Sequence, residues 1–351
     1  MSIKGIKIGE LVSKYPIVQG GMGVGVSLSG LAGAVAAAGG IGVISTAQIG
    51  FSEPEFDNEP LKTNLRMIGE HIKRARKKAA DGILGVNIMV ATKNYAEYVK
   101  TAVDNKIDLI ISGAGLPLEL PKYTKGSGTK IAPIVSSIKA ASVILKSWDR
   151  HFGTTADAVV VEGPNAGGHL GFKNEELEKI NMNQYDEEIK GIISKVNEYG
   201  EKYDKEIPVI VAGGMENHED LMHYIDIGAA GIQVATKFVT TYECDASDAY
   251  KQAYLNCKKE DIVIVKSPVG MPGRAIDNEF VKKTKLERIS VKKCHNCIVT
   301  CNPATTPYCI TDALTNAVTG NLKEGLIFCG ANAYKENRIR YVKDVINDYI
   351  L

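Results

Sequence analysis

Two groups of residues combine types and spacing that can do chemistry. The first is Cys294-x₂-Cys297-x₃-Cys301-x₇-Cys309, four of the chain's seven cysteines in one short stretch. Four thiolates can hold a [4Fe–4S] cluster or a tetrahedral zinc. Structural zinc more often uses two C-x₂-C pairs, and this chain has one, so the unequal spacing leans towards iron–sulfur; zinc and free redox thiols are the alternatives. An odd total of cysteines argues against a disulfide scaffold. The second group surrounds His169, which is framed by Gly167, Gly168 and Gly171 and follows the apolar run Val159-Val160-Val161. A histidine so framed has little to pack against. A pKa near neutrality would suit it to proton transfer, so His169 is the candidate acid/base. His71, His151, His218 and His223 fall in helix-like or connecting segments and carry no functional claim.

Glycine recurs at the ends of apolar runs: Gly20 to Gly23, Gly113, Gly163 to Gly168, and Gly213-Gly214. A flat, phosphate-bearing cofactor asks for this, because glycine lets backbone N–H groups come close and turn through positive φ. No G-x-G-x-x-G follows a strand with the spacing of a dinucleotide fold, so a separate Rossmann domain is not indicated.

The elements that must position these residues repeat along the chain. Apolar runs that read as buried strands lie at Pro16 to Gln19, Ile41 to Ser45, Leu84 to Met89, Leu109 to Ser112, Ile131 to Val135, Ala158 to Glu162, Val209 to Met215 and Gly231 to Phe238. Helix-like segments separate them, including Leu28 to Ala38, Asn64 to Ala80 and a strongly charged one from Asp186 to Lys205, read as a solvated outer face. Eight β-then-α units predict an α/β fold, a (β/α)₈ TIM barrel over residues 1–241. In such a barrel the active site lies at the C-terminal strand ends and a phosphate site near the last two strands. Residues 242–351 leave the pattern and read as a C-terminal Cys-rich extension packed on the barrel.

The 351 residues, 44% hydrophobic and 24% charged, suit one large soluble domain with an appendage. A formal net charge of +1 gives no electrostatic reason to expect nucleic acid or a membrane surface as partner. Met1-Ser2-Ile3-Lys4 lacks a signal-peptide core, and no apolar run reaches the roughly 18 residues of a membrane span. A cytoplasmic location and a small-molecule substrate are expected, with a homodimer left open.

Pro16-Ile17-Val18-Gln19-Gly20-Gly21-Met22, Ala38-Gly39-Gly40-Ile41-Gly42, Gly85 to Met89, Glu162 to Gly171 and Val211-Ala212-Gly213-Gly214-Met215 together resemble the nitronate monooxygenase family, formerly 2-nitropropane dioxygenase. That family includes flavin-dependent enoyl-acyl-carrier-protein reductases and NAD(P)H:quinone reductases, all FMN-binding TIM barrels. The resemblance covers roughly residues 10–280. It implies FMN as cofactor, with Gly21 and Met22 against the flavin ring, Asn87 bonded to it, and Gly167 and Gly168 beside it. Gly213, Gly214, Gln233, Ala235 and Thr236 would cradle the phosphate. It implies oxidation of alkyl nitronates with His169 as acid/base, or reduction of an enoyl thioester or quinone fed by NAD(P)H; a non-catalytic flavin-binding protein is the remaining alternative. The chain departs from the family at Ala235-Thr236-Lys237-Phe238, where Gly-Thr-Arg-Phe is usual, and in the small, apolar Val24-Gly25-Val26-Ser27. Phosphate binding is expected to survive the alanine if φ there is negative. The cysteine core also resembles the segment of 2,4-dienoyl-CoA reductase that binds a [4Fe–4S] cluster, a departure from ordinary nitronate monooxygenases.

Overall fold

β-Branched apolar runs with no polar face need cover on both sides, and a parallel barrel supplies it. The structure is a computed structural model that describes residues 3–177 and 179–351. Its eight parallel strands are β1 (Ile17–Gln19), β2 (Gly42–Ser45), β3 (Leu84–Met89), β4 (Leu109–Gly113), β5 (Lys130–Val135), β6 (Val159–Glu162), β7 (Val209–Ala212) and β8 (Gly231–Val234). From β2 to β8 each strand pairs with its sequence neighbour, and β8 pairs with β1. A parallel bridge between Val18 and Ile41 closes the ring, with Gln19 N–H donating to the Ile41 carbonyl at 2.9 Å. The eight expected strands therefore form the expected barrel.

The two-residue period divides the core. Val18, Val43, Leu109, Ile111, Val160 and Ile210 point into the barrel, while Ile17, Ile44, Ile110, Val159, Val161 and Val209 face the helices. An antiparallel hairpin, Lys7–Ile8 with Leu11–Val12, carries Ile6 and Ile8 into the inner cluster. It plugs the N-terminal mouth: a Cβ on Gly231, the first residue of β8, would meet the Ile6 side chain.

Outside the strands lie α1 (Ser29–Ala37), α2 (Pro60–Ala79), α3 (Tyr95–Asp104), α4 (Leu120–Thr124), α5 (Ile138–Phe152), α6 (Met182–Lys202) and α7 (His218–Asp226). Small residues let α1 press on α2, since a Cβ on Gly33 would sit 2.7 Å from the Lys78 Cβ. The α5 boundaries follow from Ser137, whose hydroxyl accepts from the Ala140 N–H at 3.2 Å, and Gly153 at φ +60°. The eighth outer helix does not directly follow β8. After a short Thr236–Val239 helix the chain leaves the ring for about a hundred residues, longer than any ordinary βα connection. It returns as α8 (Val342–Ile350), packed between α7 and α1 with Val345, Ile346 and Tyr349 in the main core. The segment from residue 242 thus ends as part of the barrel wall.

The excursion covers the C-terminal mouth. Strands Ile262–Lys266 and Pro272–Ile276 pair antiparallel, and the two-residue strand Gly168–His169, from the loop after β6, joins their edge with His169 opposite Gly273. Beneath them lie two smaller apolar clusters, one holding Tyr250, Tyr254, Ile327 and Cys329 with the barrel-loop residue Val26, the other Phe280, Tyr308, Ile310 and Leu326. Asp245 fastens the cover to the barrel, its carboxylate accepting from the N–H groups of Leu28, Gly30 and Leu31 at 2.8, 2.9 and 3.0 Å at the start of α1. An anion there meets the positive end of the helix dipole. No helix among the described residues is long and apolar enough to cross a membrane.

Candidate active site

Every barrel strand delivers its C-terminal residues to one cavity of about 530 Å³. Its wall contains all eleven residues singled out for cofactor binding and catalysis: Gly21, Met22, Asn87, Gly167, Gly168, His169, Gly213, Gly214, Gln233, Ala235 and Thr236. Gly21 has to be glycine where it stands, because a Cβ would lie 2.3 Å from the Asn87 Cβ. Gly213 and Gly214 turn at φ +106° and +88°, and a Cβ on Gly213 would stand 3.0 Å from the Ala166 nitrogen and the Gly163 oxygen. Ala235 sits at φ −122°, so the substitution seen in the sequence carries no backbone strain there. Lys237 turns away from the cavity's centre: its Nζ pairs with Asp348 of α8 at 2.8 Å and lies over the Tyr349 ring.

His169 is not the lightly packed, near-neutral group its glycine frame suggests. Its Nε2 is 2.6 Å from the Ser267 hydroxyl and its ring meets Phe328 edge-on at 4.9 Å. Burial pulls its pKa down to about 4, so the imidazole is uncharged at neutral pH. Its packing partners are about a hundred residues or more downstream, in the cover. Glu162, at the end of β6, was part of a recognisable run but not marked as a site residue. Burial alone pushes its carboxyl up to about 7, which leaves it partly protonated at neutral pH.

The sequence reading also passed over the far wall. Phe328, Cys329, Gly330, Ala331 and Asn332 cross the end of the cavity nearest β7 and β8. There the Gly330 N–H donates to Thr236 Oγ1 at 3.3 Å and Asn332 Nδ2 donates to the Gly214 carbonyl at 3.1 Å. The buried Arg274 guanidinium, in the central cover strand, donates to the Ala166 carbonyl and so ties down the Gly163 to His169 loop. The one sequence signal was Gly330-Ala331-Asn332, a small polar turn too short to distinguish from any loop.

Of the four clustered cysteines only Cys297 borders the cavity. Among the described residues, the His, Cys, Asp and Glu ligand atoms that gather in threes or more within 4.8 Å are those of His295, Cys309 and Asp312. A single tetrahedral metal bound by all four sulfurs, one of the two arrangements open from the spacing, is therefore not formed in this conformation. Tetrahedral zinc with bonds of about 2.3 Å would need sulfurs roughly 3.8 Å apart.

The barrel, the glycine-rich strand ends and the covering histidine strand agree with the comparison against known families, in which nitronate monooxygenase matches residues 5–351. The chain belongs to the nitronate monooxygenase family. The match takes in the cover and α8, further than the roughly 10–280 over which the motifs were legible. A probable nitronate monooxygenase of Staphylococcus saprophyticus is 28% identical over 293 residues, covering 78% of this chain and 79% of that one. A Rhodococcus jostii protein named as a 5-hydroxy-7a-methyl-1-oxo-octahydro-1H-indene-4-carboxyl-CoA dehydrogenase is 26% identical, over 78% of this chain and 65% of its own length. Among solved structures, FabK of Thermotoga maritima superposes with a TM-score of 0.73 at 26% identity, covering 96% of this chain and 92% of that one. This member of the family is an oxidoreductase.

Proposed function

We propose that this oxidoreductase binds FMN in the barrel-mouth cavity and oxidises alkyl nitronates there, with His169 handling the substrate proton. The observation that carries the reading is an uncharged imidazole on the wall of a glycine-lined cavity, its Nε2 held by Ser267. Two features fit the cofactor. Gln233 Oε1 is buried without a hydrogen-bond partner on that wall, an acceptor that a ring N–H would satisfy. The left-handed turn at Gly213-Gly214 leaves backbone beside the cavity with no Cβ in the way, as a phosphate cradle requires.

Gly213, Gly214, Ala235 and Thr236 would hold the phosphate, and Gly21, Met22, Asn87 and Gln233 the ring, with Gly167 and Gly168 beside it. When bound, FMN would supply the electron acceptor for the substrate, with O₂ as the final oxidant. Ser267 engages Nε2 and leaves Nδ1 without a protein partner among the described residues. With Nε2–H donating to Ser267, Nδ1 is the lone pair that would take the α-carbon proton of the parent nitroalkane, leaving the nitronate as the species to be oxidised. Chromatography of the flavin released from purified protein should give FMN, with nitronate-dependent oxygen uptake by the same preparation. FAD, or no flavin in folded protein, would overturn the cofactor assignment.

A second reading is NAD(P)H-dependent reduction of an enoyl thioester or quinone. It is favoured by the apolar side of the cavity, where Val269, Met271, Ile298, Leu314 and Phe328 give more greasy wall than a short alkyl nitronate needs. NAD(P)H oxidation dependent on an enoyl-CoA under argon, without nitronate turnover in air, would select it.

A further inference from the structure

The segment from Glu287 to Cys309 contains no helix and no ladder strand. It is held by a few backbone contacts: Lys93 N–H to the Cys297 carbonyl at 3.0 Å, Val299 N–H to the Ala91 carbonyl at 2.9 Å and Ile289 N–H to the Pro307 carbonyl at 2.9 Å. Such a stretch beside a binding cavity wants a crosslink to order it. Its thiols are free, yet grouped. Cys297 and Cys301 pack on the same apolar cluster, and Cys309 directly precedes Ile310 of that cluster. The Cys301 and Cys294 thiols are near enough to Cys297, and Cys297 near enough to Cys309, to act on one another electrostatically. Cys297 is thus the hub of the four.

Cys309 stands at the N-cap of the ten-residue helix Ile310–Thr319, and its sulfur lies within 4.8 Å of ligand atoms of His295 and Asp312. His295, inside the C-x₂-C loop and 7% exposed, stacks on Phe56 at 5.2 Å and bonds Asp312 through Nε2 at 2.9 Å. Its Nδ1 is buried with no partner. An orphaned buried imidazole nitrogen next to grouped thiols marks a site that a bound group would complete.

We infer that Cys294, Cys297, Cys301 and Cys309 bind one [4Fe–4S] cluster that forms part of the cavity wall at Cys297. No three of these sulfurs lie within 4.8 Å of one another among the described residues, too wide for one zinc but in keeping with a cubane whose four irons each carry one thiolate at an outer corner. Loading replaces four S–H bonds with four Fe–S bonds and releases four protons. The site does not depend on the flavin reading. It bears on it, because a centre with Cys294 exposed to solvent tolerates oxygen poorly and would favour the reductive alternative.

Full-length protein purified under argon, or reconstituted there with ferrous iron and sulfide, should contain about four iron and four acid-labile sulfide per chain. Both are measured independently of flavin, so a failed flavin assignment leaves the result readable. Cys297→Ser should lose the iron and keep whatever flavin the parent holds, whereas Cys257→Ser, outside the cluster, should keep both. Should Cys297→Ser fail to fold, Cys294→Ser at the exposed corner serves instead. One zinc per chain, metal-free protein after reconstitution, or iron retained by both cluster variants would overturn the assignment.

Discussion

At the scale of single residues, protonation is where burial most changes what the sequence suggested. With His169 held near 4, the activity that depends on it should be flat between about pH 6 and 8 and fall only as pH drops towards 4; a limb near 6.5 in kcat/KM would show an imidazole in water instead. His169→Ala should keep the flavin and lose about 10²–10⁴-fold in kcat, the usual contribution of a positioned acid or base. The same physics acts on stability through His71, buried against Ser29 and also pulled down to about 4. Its folded pKa lies below the unfolded value of 6.5, so unfolded chains bind the proton first. The stabilisation is whole above about pH 6.5 and is lost as pH falls towards 4, by up to about 3 kcal/mol. Thermal melts of His71→Gln against the parent across that window would show the difference. None of this was readable from Gly167-Gly168-His169, because Ser267 and Phe328, which bury the ring, are brought to it only by the fold.

At the scale of elements, the eight strands were legible because each is a short β-branched run ending in glycine or a small polar residue, and such a run has few other ways to be buried. Leu84–Met89 emerged with its ends in place. The cover strands did not, since Ile262–Lys266 is partly exposed and Pro272–Ile276 opens with proline and glycine, an edge-like pattern with little periodic signal. The position of α8 was hidden for another reason: nothing in Val342–Ile350 says which helices flank it. Two expectations belong at this level. Asp245→Ala strips three N–H groups at the start of α1 of their acceptor and should lower stability by about 0.5–2 kcal/mol, read as a drop in Tm with the flavin site intact. Gly213→Ala forces a side chain into a left-handed turn against Ala166 and Gly163, and should release FMN while circular dichroism still reports a folded barrel.

Seen whole, the molecule is a barrel whose active end is finished by its own C-terminal third. His169 sits on a strand that begins in the loop after β6 yet is zipped to Pro272–Ile276, and the wall nearest Gly213-Gly214 is crossed by Phe328 to Asn332. Peeling the Pro272–Ile276 strand off the barrel mouth would break the His169–Gly273 pairing and withdraw the imidazole. If the proposed FMN enters by that route, loading and turnover are mutually exclusive states of one ladder. A nick at Gly270, the exposed end of the otherwise buried Ser267 to Gly270 turn, should abolish both together, and a ligand that stays through many catalytic cycles, departing only on partial unfolding, is what such a latch predicts.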